Sequence, residues 1–358
     1  MSRTSRTVCP AQRYEDSPPK QFGLVSFRRQ PGKTILRIFI VCFAAVIAIT
    51  SLTGQTHQKQ KKSASPGKTT KTSAQVRADS IAAARADSTW KALQAKAIAD
   101  SVQRHLDSLA AKKHADSLKA FQFRKIKNDA FGVGERLVFE VNYGFITAGE
   151  AVMSIPAYDS VAGRTCYRVE FTVNSLPSFS WIYRVEDRYL TFIDMETIAP
   201  WRFEQHIREG TYKRDFIAEF DQVRHIAKTT EGEYPIPEYV HDIMSAFYFA
   251  RIIDFTGYQK GDTTTLYNFY KDKSHELVVR FLGRQELEVA AGTFNTLVVE
   301  PMVKEGGLFK SEGRIVIWLT DDERKIPVRV NTKVLIGSID TELKEYSGLV
   351  GPLRARIK

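Results

Sequence analysis

The charged residues Asp321-Asp322-Glu323-Arg324, which belong to a run of five, are the part of the sequence that most resembles catalytic chemistry. Two neighbouring carboxylates beside an arginine could act as acid and base in hydrolysis if they were partly buried. They lie between two apolar runs, however, and charged residues in that position usually form a solvated hairpin turn. We therefore expect a turn here, and a hydrolase that uses Asp321 and Asp322 is the less favoured alternative.

The other residues that could carry chemistry do not have the spacing of a known site. None of the seven histidines has the spacing of a metal-ligand pair, and the sequence contains no Gly-x-Ser-x-Gly, His-Glu-x-x-His, Cys-x-x-Cys or phosphate-loop motif. If the apolar N-terminal segment is removed with Cys9 and Cys42, only Cys166 remains, and a lone strand cysteine is usually a small core residue. We assign no catalytic residue, no metal site and no cofactor, and favour a protein that is not an enzyme.

Aromatic side chains are concentrated in the middle of the chain. One interpretation is that they fill a core between a sheet and a helix. The alternative is that some of them line a cleft for an acyl chain or a glycan. The candidate cleft residues are Trp181, Tyr183, Trp201, Phe203, Phe247 and Tyr248.

Strands must position these side chains, because short segments of alternating polarity follow one another from Phe131 onward. Residues 164–174 give the clearest alternation. Residues 315–330 read as an apolar run, a charged turn and a second alternating run, which predicts a hairpin with Trp318, Asp322 and Pro327 as structural residues. We place this hairpin at the centre of a large antiparallel sheet. About fourteen short strands without βαβ alternation exclude a Rossmann or TIM-barrel architecture.

One helix interrupts the strands, because apolar residues recur at helical spacing over residues 237–254. The predicted fold is therefore mainly β: a large curved antiparallel sheet, or an open barrel-like fold, wrapped around one amphipathic helix and preceded by a long basic helical arm. Asp242 and Arg251 on this helix have two interpretations of equal weight. They make a buried polar contact with the sheet, or Asp242 is a helix N-terminal charge and Arg251 is solvated.

The N-terminal third carries the positive charge of the chain. Residues 1–127 contain 24 of the 52 Lys and Arg residues but only 7 of the 41 acids, so the remainder is mildly acidic. This distribution disfavours nucleic-acid binding by the folded part. Basic residues, an apolar run at 38–49 and small residues near 51–54 predict a secretory signal, and an uncleaved membrane anchor is the alternative. We expect export across the inner membrane to the periplasm.

An Ala-rich segment with recurring Asp-Ser steps follows a polar linker and predicts a helical arm. The arm is either a solvated spacer or a basic contact for anionic lipid headgroups or cell-wall polymer. The predicted organisation is an extension with the signal, a flexible linker, the helical spacer, the β domain and a short tail, at residues 1–54, 55–75, 76–127, 131–349 and 350–358.

Several short motifs together resemble one bacterial envelope family, domain of unknown function 3108. They are Gly134-Glu135-x-Leu137, Tyr143-Gly144, Ala148-Gly149, Asp242-Ile243-x-Ser245 with Arg251, Gly292-x-Phe294, Ile317-Trp318-Leu319-x-x-Asp322, Ile326-Pro327-Val328 and Gly337-x-Ile339. The resemblance covers about residues 131–349. It implies secretion and an antiparallel sheet curved around a helix, and it implies no activity.

Three functions follow from these observations, in order of preference. The first is a non-catalytic secreted envelope domain that binds an apolar or amphipathic ligand, such as a lipid or a glycan, between sheet and helix. The second is a structural or scaffolding protein whose basic arm binds anionic lipid or cell-wall polymer at the membrane surface. The third is the hydrolase that uses Asp321 and Asp322.

Overall fold

The computed structural model describes residues 73–303, 314–334 and 337–358. The predicted leader at 1–54 and most of the predicted linker lie outside these residues. Among the described residues, no helix combines the length and apolar character that crossing a membrane requires.

The arm is a single helix, α1 (Ser73–Ala120), of 48 residues. It contains neither Gly nor Pro and consists mainly of Ala, Lys, Arg and other residues that favour helix. It carries eight basic and five acidic residues, so the helix itself is only slightly basic. It ends at Ala120, whereas the prediction extended the arm to residue 127. Residues 122–129 have no regular secondary structure.

Fourteen strands form the rest of the fold and make one antiparallel sheet in the described part of the chain. Its order is β8-β7-β6-β5-β4-β3-β2-β1-β14-β13-β12-β11-β10-β9, with β8 and β9 at the two edges, so the sheet is not closed. The strands are β1 (Arg136–Tyr143), β2 (Ile146–Val161), β3 (Arg164–Ser175), β4 (Glu186–Asp194), β5 (Pro200–Glu209), β6 (Tyr212–Asp221), β7 (Ile226–Thr229), β8 (Gly232–Pro235), β9 (Thr263–Tyr270), β10 (Lys273–Val289), β11 (Gly292–Val303), β12 (Ile315–Thr320), β13 (Pro327–Lys333) and β14 (Ser338–Ser347).

The predicted hairpin exists as β12 and β13, with Ile317 opposite Val330, but its predicted central place is wrong. The two strands are fourth and fifth from the β9 edge, and β1 and β2 are the middle pair. The reason is a pairing between the first and last strands, in which Arg136 lies opposite Ser347 and Tyr143 opposite Ile339. Local sequence patterns carry no information about such a distant pairing.

The antiparallel pairing gives the sheet two ends, which we name by what lies there. The tip end carries the turns at residues 144–145, 176–185, 210–211 and 271–272. The tail end carries the turns at 195–199 and 321–326, and the C-terminal residues 350–358 approach it. The two ends differ in packing and in charge, as described below.

Two short helices interrupt the strands: α2 (Pro177–Ser180) and α3 (Ile243–Ala250). The helix predicted over 237–254 is therefore only eight residues long. The preceding residues are extended, because His241 pairs with Asn268 of β9 and Tyr239 has a positive φ of 54°. α3 lies against β4 and β9 and packs Met244 and Tyr248 into the core. That the sheet wraps around this helix stays a prediction.

The core lies on the face of the sheet that we call the inner face, where side chains such as Val169, Phe171 and Phe203 are buried in one large cluster. A second cluster under β9–β12 shares Phe247 and Phe249 of α3 with the first, so the helix lies where the two meet. The opposite, outer face carries a small cluster of Cys166, Leu190, Phe192 and Trp201. Leu118 and Phe123, from the arm and the segment after it, pack on this outer cluster.

Candidate functional site

A fully buried ion pair joins α3 to the start of the sheet. Arg251 follows the last turn of α3, and its two Nη atoms donate to the two Oε atoms of Glu135 at 2.6 and 2.7 Å. The guanidinium also donates to the carbonyl oxygens of Ala130 and Arg324, at 3.1 to 3.2 Å. Burial alone would lower the pKa of Arg251, but the charge and hydrogen bonds of Glu135, together with smaller contributions from Tyr248 and Asp322, outweigh it and the pKa is raised. Of the two interpretations of Arg251, the structure shows the buried contact.

Asp242 joins the other end of α3 to the sheet. Its Oδ1 accepts hydrogen bonds from the backbone N–H groups of Met244 and Ser245 at 2.8 and 3.0 Å, which makes it the N-cap of the helix. Its Oδ2 accepts from Thr191 Oγ1 of β4 at 2.7 Å. Burial raises the pKa of Asp242, and these hydrogen bonds offset the rise only in part. Both ends of α3 are therefore fixed by charged side chains.

Asp322 organises the turn between β12 and β13. Its Oδ1 accepts from Thr320 Oγ1 at 2.9 Å and from the N–H groups of Arg324 and Lys325 at 3.0 and 3.2 Å. Its Oδ2 accepts from the N–H of Ala355 at 2.9 Å and so holds the C-terminal residues. Both carboxylate oxygens of Asp322 therefore accept hydrogen bonds that hold the turn and the C-terminal residues in place. Asp321 instead accepts from Arg284 Nε at 2.8 Å near the surface.

A cavity of about 370 Å³ lies among these elements at the tail end. It is bounded by residues 127–130, by the chain just after α3 and by the turn at 321–325. Its apolar side chains include Ile252, Phe255 and Leu297. Its charged side chains include Lys127, Asp129, Asp254, Arg284, Asp321 and Lys325. The cavity therefore offers both signs of charge next to an apolar surface.

Lys325 is a half-buried cation of this cavity. It has a positive φ of 41° at the turn, a conformation that side-chain-bearing residues seldom adopt. Burial lowers its pKa, and the nearby carboxylates of Asp254, Asp322 and Asp321 offset this only partly. A cation with a lowered pKa inside a cavity makes this cavity a candidate functional site.

The six predicted cleft aromatics do not line one cleft. Trp181 is 81% exposed in the loop after α2, and Tyr183 in the same loop lies beside Gly210. Phe203, Phe247 and Tyr248 contribute to the large core cluster. Of the six residues, only Phe203, Phe247 and Tyr248 belong to the same cluster.

Trp201 lies on the opposite face of the sheet from Phe203, another of the six predicted cleft residues. In a regular strand residues 201 and 203 would share a face, but the pairing of β4 with β5 shifts register between Phe192 and Ile193. Trp201 then joins the outer cluster and donates its indole N–H to Asp194 Oδ2 at 3.0 Å. A register shift of this kind has no local sequence signal in this strand.

Trp318 and Pro327 occupy structural positions in the β12–β13 hairpin. Trp318 is half-buried, packs on the large core cluster and has the guanidinium of Arg329 5.9 Å from its ring centre. Pro327 is buried opposite Leu319 at the start of β13. A proline at the first residue of a strand leaves the ladder intact.

Residues 138–344 match the profile of the family described as "Protein of unknown function (DUF3108)", which is more than half of the chain. The chain belongs to the DUF3108 family. The resemblance read from its motifs over residues 131–349 is thereby confirmed. The mainly β, antiparallel fold predicted for it is confirmed as well.

Three solved structures resemble the DUF3108 chain in fold at low identity. A β-barrel-like protein of domain of unknown function DUF1849 from Brucella abortus is 11% identical, with a TM-score of 0.42, over 61% of this chain and 98% of that one. A Bacteroides fragilis protein described as exported, with a YmcC-like fold, is 10% identical, with a TM-score of 0.29, over 63% and 100%. A Parabacteroides distasonis protein described as a lipoprotein is 10% identical, with a TM-score of 0.28, over 63% and 100%. The comparison with curated proteins gives no match.

The DUF3108 domain also contains a carboxylate pair that its sequence did not reveal. Asp187 of β4 and Glu209 of β5 belong to neighbouring strands at the tip end, and Asp187 Oδ1 accepts from the N–H of Arg208 at 2.8 Å. Burial, reinforced by the charge of Asp187, raises the pKa of Glu209 to about 8. Burial also raises the pKa of Asp187. Asp187 and Glu209 are 22 residues apart in the sequence, and they become neighbours because β4 is hydrogen-bonded to β5.

Proposed function

We propose that this DUF3108 chain is a non-catalytic cell-envelope protein that binds a small amphipathic ligand at the tail-end cavity, between α3 and the sheet. The basic residues, apolar run and small residues within positions 28–54 support export to the periplasm. An uncleaved N-terminal anchor is the alternative for the same segment. The site differs from the aromatic cleft expected from the sequence, although it lies at the same helix.

The cavity itself carries the proposal. Its volume of about 370 Å³ falls within the range of about 300 to 1,000 Å³ that is usual for small-molecule sites. The carboxylate of Asp254 can receive an amine, while the ammonium of Lys325 can receive an anion. Ile252, Phe255 and Leu297 add apolar contact. A zwitterionic headgroup attached to an acyl chain has this combination of properties.

The hydrogen bonds of Asp322 favour binding over hydrolysis at this site. A carboxylate that acts as general acid or base needs an oxygen that can reach the reacting atoms of the substrate. Both Asp322 oxygens accept hydrogen bonds from the turn and from the C-terminal residues. Asp321 is engaged with Arg284. These contacts give the two carboxylates structural roles.

Titration of the full chain with lysophosphatidylethanolamine below its micelle concentration, followed by calorimetry, tests the proposal. Lysophosphatidylglycerol, which lacks the amine, is the comparison lipid and should bind more weakly. Lys325→Asn keeps a residue type that tolerates positive φ, and Asp254→Asn keeps an acceptor for Thr256. Each should weaken lysophosphatidylethanolamine binding about tenfold, because each removes one charged contact.

A second cavity of about 380 Å³, between α1 and the outer face, supplies the matched control. Lys228→Asn and Glu233→Gln remove charges there and should leave the affinity for lysophosphatidylethanolamine unchanged. Equal losses in both pairs of variants, or no binding by the unaltered chain, would contradict the tail-end site.

A further inference from the structure

Two adjacent loops at the tip end expose large apolar side chains to solvent. Phe145, in the turn between β1 and β2, is 98% exposed, and Ile146, the first residue of β2, is 46% exposed; after α2, Trp181 is 81% and Ile182 47% exposed. The loops are neighbours, because Gly149 pairs with Ser175 and the N–H of Leu176 donates to the carbonyl of Ala148 at 2.9 Å. Exposed apolar residues that cluster in this way mark an interaction surface.

The loop after β3 is built to hold Trp181 in this exposed position. The Trp181 indole N–H donates to the carbonyl of Ser178 at 2.9 Å, so its polar atom is satisfied within the loop. The hydroxyls of Ser175 and Ser180 are hydrogen-bonded at 2.8 Å, and Phe179 is buried beneath. The exposure of the indole is thus a consequence of ordered local structure.

Basic side chains are also exposed at the tip end of the sheet. The exposed charged residues that the structure describes near the tip ends of β6, β13 and the β9–β10 turn are Lys213, Lys271, Lys273 and Lys333, with Asp272 as the one exposed acid among them. The nearby acids Glu186 and Glu231 form ion pairs with Arg184 and Arg214, both at 2.6 Å. The exposed charge at this end is therefore predominantly positive, which complements anionic lipid headgroups.

We propose that the tip end docks on an anionic bilayer, with Phe145 and Trp181 inserted at the boundary between headgroups and acyl chains. The four apolar side chains protrude from two separate loops, and a fluid bilayer accepts such protrusions without a shaped pocket. Tryptophan is enriched at this boundary, and attraction between lysines and anionic lipid adds to the binding. The docking surface is separate from the ligand cavity, which lies at the opposite end of the sheet.

Quenching of tryptophan emission by brominated lipid tests the docking surface directly. The full chain carrying Trp90→Phe is added to phosphatidylethanolamine–phosphatidylglycerol vesicles whose acyl chains carry bromine near the headgroup. Trp201 is buried and Trp318 half-buried, so Trp181 should account for most of the quenching. A second replacement, Trp181→Phe, should remove most of it. Binding through the leader or the arm alone does not bring bromine to Trp181.

Two further variants distinguish docking on lipid from dimerisation of the chain through this surface. Phe145→Ser should reduce the quenching of Trp181, whereas Tyr158→Ser, an exposed residue near the other end of β2, should not. Equal quenching with and without Trp181 would overturn the proposal. Lipid-free dimers in sedimentation that disappear with Phe145→Ser would also overturn it, because the occupant would then be a second copy of the chain.

Discussion

The tail end and the tip end of the sheet differ in which side chains they bury and which they expose. At the tail end charged groups are buried and paired: Arg251 with Glu135, and Asp322 with backbone N–H groups of its turn and of Ala355. The backbone there is packed so closely that a Cβ added to Gly348 would lie 1.8 Å from the carbonyl oxygen of Gly134. At the tip end the loops expose Phe145 and Trp181, and Glu209 is held with a raised pKa.

This difference suggests separate roles: contacts at the tail end stabilise the fold, and loops at the tip end are available for binding. The first and last strands meet in the middle of the sheet, and the tail-end contacts hold α3, β1 and the β12–β13 turn around that junction. The tip-end loops connect strands that are already paired along their length. We therefore expect substitutions at the tail end to affect stability most, and those at the tip end to affect binding.

Arg251→Met should give the largest loss of stability. It leaves the carboxylate of Glu135 buried without its partner, which costs about 3 to 5 kcal/mol in comparable buried pairs. Urea unfolding of the full chain, followed by circular dichroism, measures the change in the free energy of unfolding.

Two variants sharpen this prediction. Glu135→Leu combined with Arg251→Met should recover part of the loss, because no uncompensated charge remains. Arg184→Met removes an exposed tip-end ion pair with Glu186 and should leave the free energy of unfolding nearly unchanged, because solvent screens this pair. Similar losses for Arg251→Met and Arg184→Met would remove the proposed difference between the ends.

Asp322→Ala should rank second, with a loss of about 2 to 3 kcal/mol, because four hydrogen bonds to one carboxylate disappear together. Asp321→Ala removes a half-exposed contact with Arg284 and should cost under about 1 kcal/mol. Urea unfolding of both variants makes the comparison. If Asp321→Ala were the more damaging change, the structural role of Asp322 would be wrong.

The sequence predicted the strands well because alternation is a local property. The alternation at residues 164–174 became β3 (Arg164–Ser175), and the pattern at 315–330 became β12 and β13. The sequence failed where structure depends on distant partners. The apolar periodicity of residues 237–254 suggested a long helix, but the helix has only eight residues. It begins late because Asp242 caps its N-terminus and His241 pairs with β9.

The candidate site was harder to predict for the same reason. Asp242 and Arg251 were identified, but Glu135, the partner of Arg251, lies 116 residues away. Asp187 and Glu209 become neighbours only through the pairing of β4 with β5, and no spacing rule connects them. The cavity lining comes from five separate stretches of the chain, so a search for motifs could not assemble it.

Glu209→Gln should stabilise the tip end, and the gain should depend on pH. The folded-state pKa of about 8 lies above the usual value of 4.5, so the folded protein loses stability as pH rises from about 4.5 to about 8. The amide removes this loss. We expect a gain on the order of 1 kcal/mol at pH 8 that vanishes toward pH 4.5 in urea unfolding.

Asp215 provides the control of opposite sign. Its pKa is lowered by hydrogen bonds from His206 and Arg208, so Asp215→Asn should destabilise the protein at neutral pH and lose that effect in acid. The titratable groups that interact with Glu209 include Asp187, Tyr189 and Tyr212. A pH profile of unfolding that is the same for Glu209→Gln and the unaltered chain would show that Glu209 is ionised in the folded state.

Trp181→Ser should have the smallest effect on stability. The indole is 81% exposed, so little apolar surface returns to water when it is removed. Its hydrogen bond to Ser178 lies within the same loop, whose fold is held by Ser175, Ser180 and buried Phe179. Urea unfolding should therefore change by less than about 0.5 kcal/mol. A substantially larger loss would mean that the tip-end loop is part of the stabilising structure, and the exposed indole would then need a structural explanation.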